Sequence, residues 1–393
     1  MKMHVLFIVE NLPVPLDRRT WQQALSLKKN GAEVSVICPK MKTYVKSFEI
    51  IDGIEIYRHP LPVEASSALG YLAEYSMALF WEFFLSAKIF FRKRFYVIEG
   101  CNPPDLIFLV ALPFKLLGVK YVFDHHDLNP ELYVAKFKKK NFFYKLMLLF
   151  EKCNYKTADF SIVTNLSYKE IAMKRGGMKE EKIAVIRSGP SLEKFTVSDG
   201  KPEYKKGKKF LVGYVGIIGA QDGLDVLMHI ISHIVKKRSD VHFAIIGDGT
   251  DLEKTKRLAG ELSITGYIDF YGMVSDQKLL VEILNSCEVG VSPDIPTDMN
   301  NFSTMNKVLE YMALKKPIVQ FDLKEGRYSA QDASLYAKNF DTIDFAQKII
   351  YLIENPEERK KMGEFGYRRI VNELSWEHQK KKYIEFYRQI FNK

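Results

Sequence analysis

The sequence predicts an α/β protein built from two successive parallel-sheet domains. Short apolar runs alternate with longer amphipathic segments along all 393 residues, which is typical of parallel sheets covered by helices. The length exceeds what one hydrophobic core usually holds. After Ser188-Gly189-Pro190 the composition changes, and Ser198 to Lys209 is polar and rich in lysine, as expected of a linker between domains. We expect the two domains to face each other across a cleft lined by strand carboxyl ends, where such folds bind ligands.

The strand and helix pattern places an N-terminal domain at residues 1–195 and a C-terminal domain at residues 205–374, with a final helix, 376–393, that returns to the first domain. Short apolar runs mark seven strands in the first half: His4–Val9, Glu33–Ile37, Ile54–Arg58, Tyr96–Glu99, Tyr121–Phe123, Ser161–Thr164 and Ile183–Ile186. Six follow in the second half: Phe210–Val215, Val241–Ile246, Tyr267–Tyr271, Val289–Val291, Pro317–Phe321 and Ala333–Tyr336. Predicted helices include Arg18–Lys29, Pro356–Val371 and Trp376–Phe391.

The composition excludes several classes of protein. With 47% hydrophobic and 27% charged residues the chain has the balance of a globular protein, and we expect a cytoplasmic one because no secretory signal is visible. The longest apolar stretches, Ser76 to Phe91 and Leu106 to Leu117, are interrupted by charged residues or proline and fall short of a membrane span. The four cysteines lack metal-binding spacing, so neither a metal site nor disulfides are expected.

Positive charge is concentrated in the first half of the chain. Residues 1–190 contain 28 lysines and arginines against 19 acids, whereas the remainder is nearly balanced, with 30 against 29. Lys136, Lys138, Lys139 and Lys140 precede the apolar run FFYKLMLLF. This pattern favours peripheral contact with an anionic membrane surface, since no nucleic-acid-binding module is present. A solvated basic loop is the equally good alternative.

The segment from Asn301 to Val319, NFSTMNKVLEYMALKKPIV, predicts a helix that could bind an anion at its start. Backbone N–H groups and the helix dipole favour negative charge there, and Lys307 in the first turn favours phosphate. Glu310 follows one turn later on nearly the same face, where its carboxylate could accept from a sugar diol. Taken alone, the segment is explained more simply as an ordinary capped helix. The small polar residues at its start are Ser303, Thr304 and Asn306.

Two glycine-containing turns follow predicted strands of the second domain. Gly213, Gly216 and Gly219 are spaced by three residues, which differs from the dinucleotide-binding fingerprint but would let the backbone approach a ligand closely. A packing turn is the alternative at even odds. The second turn, Gly247-Asp248-Gly249, is explained by turn chemistry alone.

Polar residues also follow strands in the first domain. His125-His126-Asp127 comes just after an apolar strand, where active-site residues of α/β domains lie, although a hydrogen-bonded loop histidine is the simpler interpretation. Arg187, which ends the last strand of that domain, could reach a diphosphate or pair with an acid. Arg18 and Arg19 are candidate ligands of phosphate or acceptor after the first strand, with a solvated helical turn as the alternative.

Taken together, these segments resemble the retaining, nucleotide-sugar-dependent glycosyltransferases of family 4, which have the GT-B architecture of two Rossmann-like domains. The resemblance covers essentially the whole chain, and Trp376 opens the final helix. The segments that carry it are DRRTWQQALSLKKNGAEVSVICP, FDHHDLNPE, VIRSGPSLEKF, FLVGYVGIIGAQDGLDVL and STMNKVLEYMALKKPIVQFD.

The resemblance implies roles for the residues of the Asn301–Val319 segment. Glu310 matches the second acid of the Glu-x7-Glu motif, which binds the donor ribose hydroxyls. The first acid is replaced here by Phe302, with Asn301 and Asn306 as candidate substitutes. The diphosphate would meet the amides and side chains of Ser303, Thr304 and Asn306.

Elsewhere in the chain, the resemblance implies that His126 lies near the donor sugar, with Asp127 on the acceptor side. In the glycine loop, which supplies Gly219 and Gln221 as donor-binding candidates, relatives carry an Arg and a Lys that are absent here. We expect Lys307, with Arg187 as a second candidate, to supply the missing positive charge.

The expected activity is transfer of a sugar from a nucleoside diphosphate to a saccharide or lipid-linked saccharide acceptor, with retained anomeric configuration. We expect a UDP-sugar as donor and no separate cofactor. No metal is expected either, because the usual Asp-x-Asp motif is absent. A GT-B sugar-nucleotide epimerase and a non-catalytic nucleotide-sugar-binding protein are the alternatives, and Phe302 favours the latter.

Overall fold

The computed structural model describes residues 3–41, 43–60 and 68–392. The chain separates into two compact domains of similar size. The first comprises residues 1–186 together with 380–393, and the second comprises residues 187–379.

The first domain is built on a sheet of eight strands, counted within its described residues, in the order β3-β4-β2-β1-β5-β6-β7-β8. All neighbours pair in parallel except β3 and β4. The strands are β1 His4–Val9, β2 Glu33–Pro39, β3 Phe48–Ile51, β4 Ile54–His59, β5 Val97–Cys101, β6 Lys120–His125, β7 Phe160–Val163 and β8 Ile183–Val185. The helices are α1 Arg18–Lys29, α2 Ala68–Arg92, α3 Phe108–Leu116, α4 Asn129–Phe137, α5 Phe142–Thr157 and α6 Leu166–Lys174.

The antiparallel pair β3–β4 is a hairpin that the strand prediction missed. Its turn is Asp52-Gly53, and both residues have positive φ, 50° and 74°. An Asp-Gly pair between apolar residues is a strong hairpin signal, because this turn needs two left-handed conformations. The signal was therefore present in the sequence.

The second domain has a parallel sheet in the order β11-β10-β9-β12-β13-β14. The strands are β9 Phe210–Val215, β10 Val241–Ile246, β11 Ile268–Gly272, β12 Val289–Ser292, β13 Ile318–Phe321 and β14 Ser334–Ala337. The helices are α7 Leu224–Val235, α8 Leu252–Glu261, α9 Gln277–Asn285, α10 Asp298–Phe302, α11 Asn306–Ala313, α12 Lys324–Ala330, α13 Thr342–Glu354 and α14 Pro356–Arg369. From β9 the chain adds β10 and β11 on one side, and it then returns to place β12 on the other side of β9. The carboxyl ends of β9 and β12 are therefore the topological switch point.

Both faces of this sheet are buried. Val212 and Phe243 point into a core with α7 and α13, whereas their sequence neighbours Leu211 and Ala244 point into a second core with α9 and α11. Successive side chains of a strand alternate between faces, so apolar strands with both faces covered read as continuous apolar runs. This is why β9 and β10 were predicted with their observed bounds.

The segment that was interpreted as an interdomain linker is packed onto the second domain. Phe195 is buried in that domain's core, and Ser198 N donates to Asn285 Oδ1 at 3.2 Å. Lys205 forms an ion pair with Glu288 at 2.6 Å. The linker interpretation was therefore wrong, and the first domain ends at residue 186 rather than at 195, because local composition does not report these distant partners.

The last helix, α15 Trp376–Asn392, contributes its residues from 380 onward to the first domain. Tyr383 donates to Glu99 Oε2 on β5 at 2.7 Å, and the Tyr387 hydroxyl donates to the same oxygen. Among the described residues, no helix combines the length and the apolar character that crossing a membrane requires.

Candidate functional site

A buried ion pair lies at the switch point of the second domain. Lys307 in the first turn of α11 places its Nζ 2.7 Å from Oδ1 of Asp294, two residues beyond β12. The side chain of Lys307 is 8% exposed and that of Asp294 is 1% exposed. The ammonium also lies 4.7 Å from the ring centroid of Tyr214, on β9. Lys307 is thus fixed by the two strands that flank the switch point.

Carboxylates determine the charge state of Lys307. Burial alone lowers the pKa of this lysine, but Asp294 and Asp222 outweigh burial, and the pKa is raised. Burial raises the pKa of Asp222 to about 6, although Lys307 opposes that shift. The Ser292 hydroxyl donates to the second oxygen of Asp294. Lys307 is therefore a positively charged group held in place before any ligand binds.

The glycine turns after β9 and β10 pack directly against each other. A Cβ on Gly247, which has φ +150°, would lie 1.8 Å from the carbonyl oxygen of Gly216. A Cβ on Gly216 itself would lie 3.2 Å from Cε of Lys307. Glycine at both positions therefore brings backbone against backbone beside the lysine. The Gly247-Asp248-Gly249 turn, which turn chemistry alone explained in the sequence, thus also packs against the turn that follows β9.

The single helix predicted from Asn301 onward is two helices in the structure, separated by a short connection. Asn301 and Phe302 end the short helix α10, and α11 begins only at Asn306, so Ser303 to Met305 form the connection. The Ser303 hydroxyl donates to Met299 O at 2.7 Å. Asn306 is exposed, and Glu310 is half-buried one turn after Lys307.

Arg187 pairs with an acid of its own domain. Its guanidinium lies 3.3 Å from Glu325 Oε2, donates to Thr304 Oγ1 at 3.1 Å, and lies 4.4 Å from the ring centroid of Tyr328. Of the two interpretations left open by the sequence, the structure shows the ion pair. Through Thr304, Arg187 fixes the connection between α10 and α11.

Lys324 lies near Phe302, the residue that replaces the first acid of the Glu-x7-Glu motif. Its Nζ lies 5.9 Å from the ring centroid of Phe302, and its backbone N–H donates to Asn301 Oδ1 at 2.8 Å. Asn301 therefore already accepts a hydrogen bond. Sequence reasoning missed Lys324 because it follows the next strand, 22 positions after Phe302.

In the glycine loop, Gly219 is buried and Gln221 is half-buried. Gly219 N donates to Asp222 Oδ2 at 3.0 Å. The backbone carbonyl of Gln221 accepts from Asn300 Nδ2 at 2.7 Å, which ties this loop to α10.

In the first domain, four side chains converge on the carboxyl end of β6. Asp124 accepts from His126 Nε2 at 2.8 Å, from Gln23 Nε2 at 2.7 Å and from Arg19 Nη2 at 2.8 Å. Arg19 also donates to Ile186 O at 2.7 Å. The Asp124 carboxylate thereby fixes the His126 ring, whose side chain is 13% exposed.

The positions of Arg18 and Arg19 differ. Arg18 is exposed, whereas Arg19 is buried against Asp124, so Arg19 holds a protein carboxylate where the sequence suggested an acceptor ligand. The Asp124 carboxylate lies with Cys101 and His126 in a group whose ligand atoms are within 4.8 Å of one another. Arg19 already takes both oxygens of Asp124, and burial raises the pKa of the Cys101 thiol. A guanidinium and a neutral thiol make this group a poor cation site.

Asn102 orders the loop that carries Asp127. Its Oδ1 accepts from the backbone N–H groups of His126, at 2.6 Å, and of Asp127, at 3.2 Å. Loss of solvation raises the pKa of Asp127. Asp127 and His126 are both partly exposed.

His125, by contrast, is structural. It is fully buried, Tyr155 OH lies 2.6 Å from its Nδ1, and burial lowers its pKa to about 3. Its ring stacks on Phe123 with a centroid distance of 5.1 Å. A neutral buried imidazole of this kind has no access to substrate.

Similarity to known proteins agrees with this geometry. The sequence profile of the domain described as glycosyl transferases group 1 matches residues 209–355. An uncharacterised glycosyltransferase of Methanocaldococcus jannaschii is 24% identical over 379 residues, covering 92% of this chain and 91% of the relative. The capsular polysaccharide biosynthesis glycosyltransferase CapM of Staphylococcus aureus is 26% identical over 266 residues, covering 64% and 68%.

Solved structures resemble the whole fold. Sucrose-phosphate synthase from Thermosynechococcus elongatus superposes with a TM-score of 0.80 at 17% identity, over 100% of both chains. Anabaena HepE in complex with UDP-glucose superposes with a TM-score of 0.73 at 13% identity, over 98% of this chain and 100% of the other. The fold is GT-B, and together with the sequence similarities it supports a glycosyltransferase.

Proposed function

We propose that this protein is a retaining glycosyltransferase that moves a sugar from a nucleoside diphosphate, with UDP as the first candidate, to a saccharide hydroxyl in polysaccharide synthesis. The observation that carries the proposal is the fixed cation Lys307 at the switch point, beside the paired glycine turns and at the start of α11. Similarity to CapM supports polysaccharide synthesis, and the UDP-glucose complex of HepE supports the donor class.

Lys307 and the backbone at the start of α11 would bind the donor diphosphate. During transfer the bond from the anomeric carbon to the diphosphate oxygen breaks, the bond to the acceptor oxygen forms, and the hydroxyl proton is released. Negative charge grows on the departing diphosphate, so a cation fixed beforehand stabilises the transition state more than the ground state. The helix dipole at α11 acts in the same direction.

The remaining donor contacts follow from neighbouring residues. Glu310 would accept from the ribose hydroxyls, and Gly219 and Gln221 would approach the nucleotide from the glycine loop. Because Phe302 replaces an acid, we assign recognition of the transferred sugar to Asn306 and to Lys324. Arg187 acts indirectly in this scheme, since Glu325 and Thr304 hold its guanidinium.

His126 and Asp127 are assigned to the reacting sugar and the acceptor. Asp124 and Asn102 hold the loop that carries them in one conformation, and preorganised groups lower the cost of reaching the transition state. Arg18, which is exposed, remains a candidate acceptor ligand. Arg19 is assigned a positioning role through Asp124.

The decisive experiment combines binding with turnover. UDP-, GDP- and ADP-sugars are first screened by thermal shift, because a ligand at about 100 times its dissociation constant stabilises by roughly 2.7 kcal/mol. Release of nucleoside diphosphate and the anomeric configuration of the product are then measured with saccharide acceptors. Transfer with retention is expected.

Two other outcomes would contradict the proposal. Rearranged sugar formed without acceptor would indicate an epimerase. Donor binding without turnover across the acceptors would indicate the non-catalytic binding protein that Phe302 favours.

A further inference from the structure

The helix α2 carries an apolar stripe that faces solvent. Its exposed members, which recur at helical spacing, are Met77, Phe80, Phe84 and Phe91, and Phe91 is 85% exposed. Phe83 lies beside the stripe and is also exposed. A helix of a globular domain normally turns such a stripe inward.

The neighbouring helices extend the stripe into a continuous face. Helix α3 packs against both α2 and α5, and α5 packs against α4. These three helices, with the residue that follows α3, expose a further eight large apolar side chains: Leu109, Leu112, Leu116, Leu117, Phe137, Phe142, Phe143 and Leu149. Contiguous apolar surfaces of this kind are rare on monomeric proteins and mark interaction sites.

The unpaired charges on this face are mostly positive. Residues 76–94, 108–118 and 132–150 contain ten lysines and arginines and one acid, Glu82, which is buried. Three of the ten, Arg92, Lys93 and Lys115, form ion pairs with acids of neighbouring elements. Lys88, Lys138 and Lys139 are exposed and form no ion pair with a carboxylate of the described residues. The Lys140 ammonium lies 5.7 Å from the Tyr144 ring centroid. Apolar side chains rimmed by cations complement a surface that is apolar below and anionic above.

We propose that the face formed by α2, α3, α5 and the end of α4 docks onto an anionic lipid bilayer. Aromatic and leucine side chains would enter the interfacial region while the lysines meet the headgroups. A second copy of the chain is a poorer occupant, because a self-complementary contact would bring like charges together. The inference does not depend on the proposed transferase activity, since it concerns a different surface.

The test uses the full chain and sedimentation with vesicles of phosphatidylcholine alone or with 30 mol% phosphatidylglycerol. Binding to the anionic vesicles is expected, with at least a tenfold loss between 50 and 300 mM salt. A triple variant, Phe80→Asp with Phe84→Asp and Phe91→Asp, is expected to bind at least tenfold more weakly. The matched control places aspartate at the exposed apolar residues Met273 and Ile343 of the second domain and should bind as the wild type.

A charge variant keeps the test valid if the triple variant does not fold. Lys138→Glu with Lys139→Glu should weaken binding by the same order, whereas Lys236→Glu with Lys237→Glu, equally exposed in the second domain, should not. Failure of the wild type to bind anionic vesicles overturns the proposal. So does self-association in sedimentation that the triple variant abolishes, because the occupant would then be a second copy.

Discussion

Lys307 and Asp294 form a buried ion pair, with 2.7 Å between Nζ and Oδ1, at the carboxyl edge of the second sheet. The two residues are 13 positions apart in the sequence, and Asp294 was absent from the sequence-based site. Because the two residues are paired, a single substitution of Lys307 has two effects at once. Removing the lysine takes away a candidate diphosphate ligand and also leaves a buried carboxylate without its cation.

Substitution of Lys307 is therefore expected to lower both turnover and stability. Lys307→Ala should reduce turnover by on the order of a hundredfold, because one fixed donor to the leaving group is worth about 3 kcal/mol. It should also destabilise the fold by roughly 3–5 kcal/mol, as for other broken buried pairs. Sugar-nucleotide turnover and urea unfolding measure the two effects.

The double variant Lys307→Met with Asp294→Asn separates the loss of turnover from the loss of stability. It should recover most of the lost stability, because no uncompensated charge stays buried, but none of the lost turnover. Recovery of turnover in the double variant would contradict the role of Lys307. Lys315→Ala, which removes a partly exposed lysine paired with Glu364, is the matched control and should leave turnover unchanged.

The contact between the glycine turns makes a second prediction. Gly247→Ala should destabilise the second domain, because the new Cβ would overlap Gly216 O at 1.8 Å and φ is +150°. Each kcal/mol lost should lower Tm by roughly 2–4 °C for a domain of the size of the second one. Gly260→Ala in α8, which has open space around its Cβ, should leave Tm unchanged or raise it slightly. Equal Tm changes in the two variants would count against the close approach.

The Arg19–Asp124 pair predicts a positioning effect. Arg19→Lys keeps the charge but loses the fork that takes both oxygens of Asp124. We expect lower Tm and a fall in kcat larger than any change in KM, because the acid that holds His126 is less well fixed. Arg18→Ala, at the exposed neighbouring position, should leave Tm unchanged. A wild-type kcat in a folded Arg19→Lys variant would contradict the role of this pair.

Glu99 predicts a pH dependence of stability. Burial and the nearby Asp124 charge raise the pKa of Glu99 to about 8, against about 4.3 for an unfolded glutamate. Below pH 4 both states hold the proton. Between about pH 4 and 8 only the folded state holds it, so the contribution of Glu99 to stability falls as pH rises through this window.

Glu99→Gln should therefore flatten the decline of Tm between pH 5 and 8, because glutamine is neutral throughout. The Tyr383 and Tyr387 hydroxyls can still donate to its amide oxygen. Thermal unfolding at several pH values measures the slope. An unchanged slope in Glu99→Gln would show that other buried acids, such as Glu151, set the dependence.

The parts of this protein that sequence predicted well are those fixed by local pattern. β1, β9 and β10 have the predicted bounds, because an apolar run with both faces buried carries its own signal. The site was predicted less completely. Lys307 stood out at a helix start and His126 after a strand, but the partner of Lys307, Asp294, is placed against it by tertiary packing. Asp124 lies only two residues before His126, yet its role depends on Arg19, which is 105 residues away.

The errors have the same physical origin. A lysine-rich stretch with glycine and proline resembles a linker until its hydrogen bonds to distant Asn285 and Ser286 are known. Arg19 resembles a surface ligand until Asp124, 105 residues away, is placed against it. A better sequence signal existed only for the β3–β4 hairpin.

The contacts of Glu99 with Tyr383 and Tyr387 also bear on the order in which the protein can fold during synthesis. A ribosome releases residues 1–186 long before residues 380–392, with the entire second domain translated in between. The first domain therefore waits, with the surface around Glu99 uncovered, until the final helix emerges. Completion of the first domain therefore requires that the chain has been translated through the whole second domain and α15.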